Sequence, residues 1–147
     1  SPSRGLGDVY KRQVSITAPD TLLMIPMDII LIEQVLINLM ENAVQHGKTT
    51  TRIELRLSSA GGLAVFEVAD NGCGIEKELL PHLFEGYLTR DQEEISDQRR
   101  NMGIGLSVCM SIVQAHGGTM RAENRKKGGA LLQFSLPLEE NSHEHQR

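Results

Sequence analysis

The sequence predicts an α+β fold, a two-layer sandwich in which a mixed, mostly antiparallel sheet packs on about three helices. Three observations carry that reading. The elements follow the order β-α-β-β, a charged loop region, then α-β-β. The strands come mainly in pairs joined by glycine turns, Gly61-Gly62 and the stretch RKKGG at residues 125–129, which favours hairpins. Helix-period segments are few, so they suit one face of a sheet. With 147 residues, 39% of them apolar, the chain is one domain that can bury a core.

Residues 14–18 form a short strand that Pro19 stops. Asp28 stands where a helix N-cap belongs, the helix runs to about His46, and Gly47 ends it. On a helical wheel Ile29, Ile32, Val35, Leu36, Leu39, Met40, Ala43 and Val44 gather on one side. Gln34, Asn38, Glu41, Asn42 and Gln45 gather on the other. An ordinary solvent face accounts for that stripe, but such faces favour Lys, Glu or Arg, and Asn is a poorer helix former by some tenths of a kcal/mol. A row of amide oxygens can also ligate a hard cation without adding negative charge beside phosphates.

Residues 50–58 (TTRIELRLS) alternate, and Gly61-Gly62 turns them back into LAVFEVA at 63–69. Residues 76–83 read as a short helix interrupted by Pro81. Residues 89–101 carry seven charges and one aliphatic side chain, which marks a mobile loop. Helical spacing returns over residues 105–116 and stops at Gly117-Gly118. TMRAEN (119–124) and ALLQFSLPL (130–138) close the chain as paired strands. Residues 1–13 form a flexible or non-native leader, residues 14–138 the domain, and residues 139–147 a polar tail in which His143 and His145 are solvated.

Composition narrows the function. A net charge of −4 and 3% aromatics without Trp argue against nucleic acid as partner. Cys73 and Cys109 form no disulfide framework or CxxC pair, as expected in a reducing cytosol. The longest apolar stretch, residues 22–32, is too short to span a bilayer and holds a Pro and an Asp, and no signal peptide is visible.

Two glycine pairs remain. In VADNGCGI (residues 68–75) a strand ends on Asp70, followed by Gly72 and Gly74. An Asp-capped corner makes the same pattern. In NMGIGLSV (residues 101–108) Gly103 and Gly105 open the second long helix, where backbone N–H groups and the helix dipole favour an anion. Neither pair is a dinucleotide fingerprint, and no GxxxxGK[ST] loop occurs.

Taken together, NLMENAVQH (38–46), DNGCGI (70–75), the Phe84 box in LFEGY, GIGLS (103–107) and the ending at 116–137 stand in an order that resembles the catalytic ATP-binding domain of bacterial sensor histidine kinases. The resemblance covers about residues 14–138. It implies the Bergerat-type ATP-binding fold of the gyrase, chaperone, histidine kinase and mismatch-repair superfamily, with ATP and Mg²⁺ as ligands. By it, Asp70 accepts a hydrogen bond from the adenine amino group, and Gly72, Gly74 and Ile75 let the purine lie against the backbone. Asn42 holds Mg²⁺ with Asn38 beside it. Residues 85–102 are the ATP lid, with Phe84, Tyr87, Arg90, Arg99 and Arg100 as contacts, and Gly103, Ile104, Gly105 and Leu106 complete the pocket. Gln45 and His46 stand where the family commonly has a basic residue followed by an aromatic or His, and Asn101 stands where it often has another Gly.

The implied activity is transfer of the γ-phosphoryl group of ATP to a histidine on a separate dimerisation domain, which signals to a response regulator. None of the five histidines has the acceptor context. The chain therefore reads as a monomeric catalytic fragment, the cytoplasmic part of a membrane-anchored, homodimeric kinase. Residues 35–44 and 116–137 are similar to osmosensitive potassium-sensor kinases. The superfamily's hydrolysing ATPases carry a water-activating Glu where Asn38 stands. Glu41 is close enough to keep ATP hydrolysis as an alternative, and a non-enzymatic nucleotide-binding or docking module is another.

Overall fold

Asp28 fixes where the first helix begins. Its Oδ1 accepts the backbone N–H groups of Ile30 at 3.1 Å and Leu31 at 3.2 Å, satisfying two donors that a helix start leaves without partners. The computed structural model describes residues 12–46, 49–85 and 97–139, with the backbone alone for residues 46 and 97–104. In chain order the elements are strand β1 (Gln13–Thr17), helix α1 (Ile29–His46), β2 (Arg52–Ala60), β3 (Leu63–Asp70), helix α2 (Asp97–Ala115), β4 (Thr119–Asn124) and β5 (Ala130–Pro137). The sheet order is β1-β2-β3-β5-β4, with β1 parallel to β2 and every other neighbour antiparallel.

Turn chemistry and pleat set the register. Ala60 pairs with Leu63 across Gly61 and Gly62, whose φ values of 58° and 81° suit a two-residue hairpin turn that matches strand twist. Phe66 then falls opposite Phe134, their rings stacked 4.6 Å apart. On that face Ile53, Val68, Leu132, Phe134 and Leu136 meet Ile32, Val35 and Leu39 of α1 and Leu106, Cys109 and Val113 of α2. The opposite face is polar, and Arg56 there bridges Glu54 and Glu67, each at 3.0 Å. Half-exposed pairs of this kind contribute at most about 1 kcal/mol, whereas each large apolar side chain fully buried between the layers contributes about 1.5–3 kcal/mol. The layer contact holds the fold.

His116 ties the two helices together. Gly117, at φ 78°, lets its N–H reach Gln114 O at 3.0 Å and the Gly118 N–H reach Val113 O at 2.9 Å, a glycine-terminated helix end. This leaves the His116 ring over the start of α1. Nδ1 lies 2.8 Å from Ile112 O, and Nε2 accepts the Asp28 N–H at 3.0 Å. A carbonyl can only accept, so Nδ1 carries the proton and Nε2 the lone pair.

Four expectations are corrected. Among the described residues there are two α-helices rather than about three: residues 76–83 form successive turns with a 3-10 segment at Leu80–His82, because Pro81 offers no N–H to continue a helix. Residues 97–101, expected in the loop, belong to α2. Gln and Arg favour helix, and extending a helix already nucleated on Leu106, Cys109 and Val113 costs little. Gly103 and Gly105 therefore lie inside α2 and do not open it. Gln13, assigned to the leader, pairs with Arg52 as the first residue of β1.

His116→Ala removes both ring hydrogen bonds and should lower unfolding free energy by about 1–3 kcal/mol in urea titrations. His82→Ala, at an exposed histidine paired among the described residues with Glu85 alone, should change it by less than about 1 kcal/mol.

Candidate functional site

Asp70 ends β3 on the helix-facing side of the sheet, in register with Ile53, and is 5% exposed. A buried carboxylate needs donors. Its Oδ1 accepts Gly72 N–H at 2.8 Å, the local turn expected of an Asp before a glycine, and Ala130 N–H at 3.3 Å from the start of β5. Among the described residues its side-chain hydrogen bonds all run to Oδ1, which leaves Oδ2 for a donor from outside. The backbone is held as firmly: Arg125 donates to Asp70 O at 2.8 Å. Gly129, at φ 89°, packs so closely that an added Cβ would lie 2.0 Å from that oxygen.

Beyond Asp70 the chain is pinned on both sides. Asn71 Oδ1 accepts the N–H groups of Thr51 at 3.0 Å and Arg52 at 2.9 Å, and its Nδ2 donates to Thr51 Oγ1 at 3.0 Å. Gly74 takes φ 83°, a conformation that disfavours side chains. Ile75 is met by Asn124 of β4, whose Oδ1 accepts Ile75 N–H at 2.7 Å and whose Nδ2 donates to Ile75 O at 2.8 Å. Sequence reading missed Asn124 and Arg125. The only signal available was their place beside the glycine turn RKKGG.

The amide stripe of α1 divides into two parts. Asn38 and Asn42 are half-buried, whereas Gln34, Glu41 and Gln45 are exposed. Asn38 Nδ2 donates to Cys109 Sγ at 3.6 Å and its Oδ1 accepts Gln34 Nε2 at 3.2 Å, so Asn38 is engaged in the helix contact. Burial pushes the Cys109 thiol up, with the bond from Asn38 working against it. The contacts of Asn38 with Cys109 and of Asp28 with His116 make the helices antiparallel. One turn beyond the first of these contacts come Asn42 on α1 and Gly105 on α2. Among the described residues a Cβ at Gly105 would meet nothing within 4 Å, so packing against them does not explain a glycine inside this helix. No side-chain hydrogen bond of Asn42 forms among the described residues, and its oxygen is available to a cation there. Glu41 stands apart, on a surface hollow of about 330 Å³ shared with Ile37, Met40, Val44 and Gln45.

The remaining expected residues divide as follows. Leu106 is in the core, and Phe84, partly buried, packs against that core next to buried Leu83. Tyr87 and Arg90 lie outside the described residues. Of His46, Arg99, Arg100 and Ile104 only the backbone is described, and Gly103 is placed by its helical backbone. Among the described residues no group of three or more His, Cys, Asp or Glu could hold a metal ion.

Residues 27–140 match the family model of histidine kinase-, DNA gyrase B-, and HSP90-like ATPases. The sensor protein KdpD of Clostridium acetobutylicum is 40% identical over 127 residues, which is 86% of this chain and 14% of that protein. The chain thus spans about a seventh of that relative's length. In structure it is similar to the ATP binding domain of PrrB from Mycobacterium tuberculosis, with TM-score 0.69, 26% identity, and 92% of this chain and 88% of that one covered. It is also similar to full-length ShkA in complex with AMPPNP, with TM-score 0.70, 25% identity, and 90% of this chain and 27% of that one covered.

Gly129→Ala should destabilise the protein by more than about 2 kcal/mol, since it adds a backbone clash to the strain of positive φ. Gly128→Ala, also at positive φ but with nothing within 4 Å, should cost about 1–2 kcal/mol. Equal losses in urea titrations would contradict the close approach of Gly129 to Asp70. In the native protein a thiol reagent should modify exposed Cys73 and spare Cys109 until unfolding.

Proposed function

The chain belongs to the family of histidine kinase-, DNA gyrase B-, and HSP90-like ATPases, and on that premise we propose that it is the catalytic ATP-binding domain of a sensor histidine kinase. It binds Mg-ATP and donates the γ-phosphoryl group to a histidine on a separate dimerisation domain of the same kinase. The observation that carries this reading is Asp70: buried, held through Oδ1 by two backbone amides, and with no hydrogen bond to Oδ2 among the described residues.

In this reading Asp70 Oδ2 accepts a hydrogen bond from the adenine amino group. Guanine would set a carbonyl oxygen against the same carboxylate, and the site rejects it. A hydrogen bond to a charged group is worth about 1.5–3 kcal/mol. The turn at Gly72 and Gly74 brings backbone to the purine where a side chain would fill the space. Asn42 offers its amide oxygen to Mg²⁺, which when bound offsets charge on the phosphate oxygens. Gly105, without a side chain, leaves room for the phosphates. Phosphoryl transfer depends chiefly on such positioning.

The same site lacks what hydrolysis needs. Asn38 is an amide, committed to Cys109 and Gln34, and cannot take a proton from water. Glu41 faces the surface hollow. The phosphoryl group is therefore kept for the protein acceptor. The partners are the kinase's dimerisation domain and, downstream, a response regulator; the parent is a homodimer and the isolated domain a monomer. We place the domain on the cytoplasmic side of a membrane-anchored parent; among the described residues no helix is long and apolar enough to cross a membrane. Identity to KdpD supports the sub-type read from residues 35–44 and 116–137.

Calorimetric titration with Mg-ATP tests this reading. Wild type should bind, and Asp70→Asn should bind roughly 10- to 150-fold more weakly. Mixed with the dimerisation domain and labelled ATP, the chain should produce an acid-labile phosphohistidine on that domain and little label on itself. Absence of ATP binding, or equal binding by Asp70→Asn, would refute the reading.

A further inference from the structure

We propose that Asn124 is a positioning residue for the nucleotide site, setting the height of residues 72–75 above the plane in which the purine lies; this rests on the ATP-binding reading. Asn124 is exposed, belongs to β4 on the far side of β5, and lies 49 positions from the loop it holds. A lone surface Asn usually bonds to water. This one pairs its whole amide with one residue, accepting Ile75 N–H at 2.7 Å and donating to Ile75 O at 2.8 Å. Two antiparallel bonds to one residue fix both distance and tilt, as a strand partner does.

Gly74 completes the device. A Cβ there would lie 2.8 Å from Asn124 Oδ1, so any other residue at 74 would push the amide from its place against Ile75. Asp70 is held at the other end of the loop by Ala130 N–H and Arg125, which come from the same β4–β5 hairpin. One hairpin therefore holds both ends of the segment that meets the base, and Asn124 holds the end farther from the carboxylate. Replacing it leaves Asp70 and the core in place. The freed loop then spends part of the binding energy on ordering itself when nucleotide enters, an entropic cost that the clamped protein has already met during folding.

The test compares Asn124→Ala, Asn124→Asp and Asp70→Asn with wild type in the full 147-residue chain. Asn124→Ala should weaken Mg-ATP binding at least 5-fold and speed amide exchange at Ile75 at least 10-fold, while exchange at Val68 and Leu132 stays as in wild type. Asn124→Asp keeps the acceptor for Ile75 N–H but sets a carboxylate oxygen against Ile75 O, and should fall between wild type and Asn124→Ala. Asp70→Asn should lose ATP affinity with Ile75 exchange unchanged. Gly74→Ala should weaken ATP binding by a smaller factor in the Asn124→Ala background than in wild type, because the atom it strikes is gone. Unchanged Ile75 exchange in Asn124→Ala, or faster exchange with unchanged ATP affinity, would overturn the proposal. If wild type binds no ATP, the function reading fails, and Ile75 exchange still reports whether the clamp exists.

Discussion

A carboxylate buried at the end of a central strand is the constraint around which the rest of this molecule is arranged. Without donors, burying such a group costs several kcal/mol. Here the chain supplies them from two directions: Gly72 N–H from the turn that follows, and Ala130 N–H from the neighbouring strand. Both require glycine. Gly129 must be bare for β5 to start against the Asp70 carbonyl, and Gly74 must take a positive φ for the chain to leave the strand end. Those glycines hold one acid with one oxygen satisfied and the other without a hydrogen bond among the described residues.

The two layers give that acid a partner surface. The pleat places Asp70 on the helix-facing side, and burial of Val35, Leu39, Cys109 and Val113 fixes the helices over it. His116 locks the pair at one end through Asp28, and Asn38 locks them midway through Cys109. One turn beyond Asn38 and Cys109 come Asn42 and Gly105. The polar residues that bridge the helices thus also set the spacing of the residues assigned to metal and phosphates.

Much of this was legible in the sequence because it rests on local chemistry. Asp28 before an apolar period, Gly61-Gly62 between alternating runs, and His116 before two glycines each announce a boundary through contacts a few residues away. Asp70, Gly72 and Gly74 were legible for the same reason. The start of α2 was not, because the charges at residues 97–100 suggested solvent more strongly than the propensities of Gln and Arg suggested helix. Asn124 and Arg125 were not, because a side chain that bonds across dozens of residues leaves no periodicity or spacing to read. Nor did the sequence show how the amide stripe divides. Only the packed helices reveal that Asn38 is spent on Cys109 while Asn42 is not.

The central claim is that one oxygen of Asp70 recognises the exocyclic amino group of adenine, and removing that group from the ligand tests it most directly. Affinity for Mg-ATP should be compared with affinity for the triphosphate of purine riboside, which lacks only the 6-amino group. The account requires the analogue to bind at least 10-fold more weakly to wild type, and the gap to close in Asp70→Asn. Equal affinity of the two ligands for wild type would mean that Asp70 reads nothing on the base, and the assignment of this strand end as the purine site would be wrong.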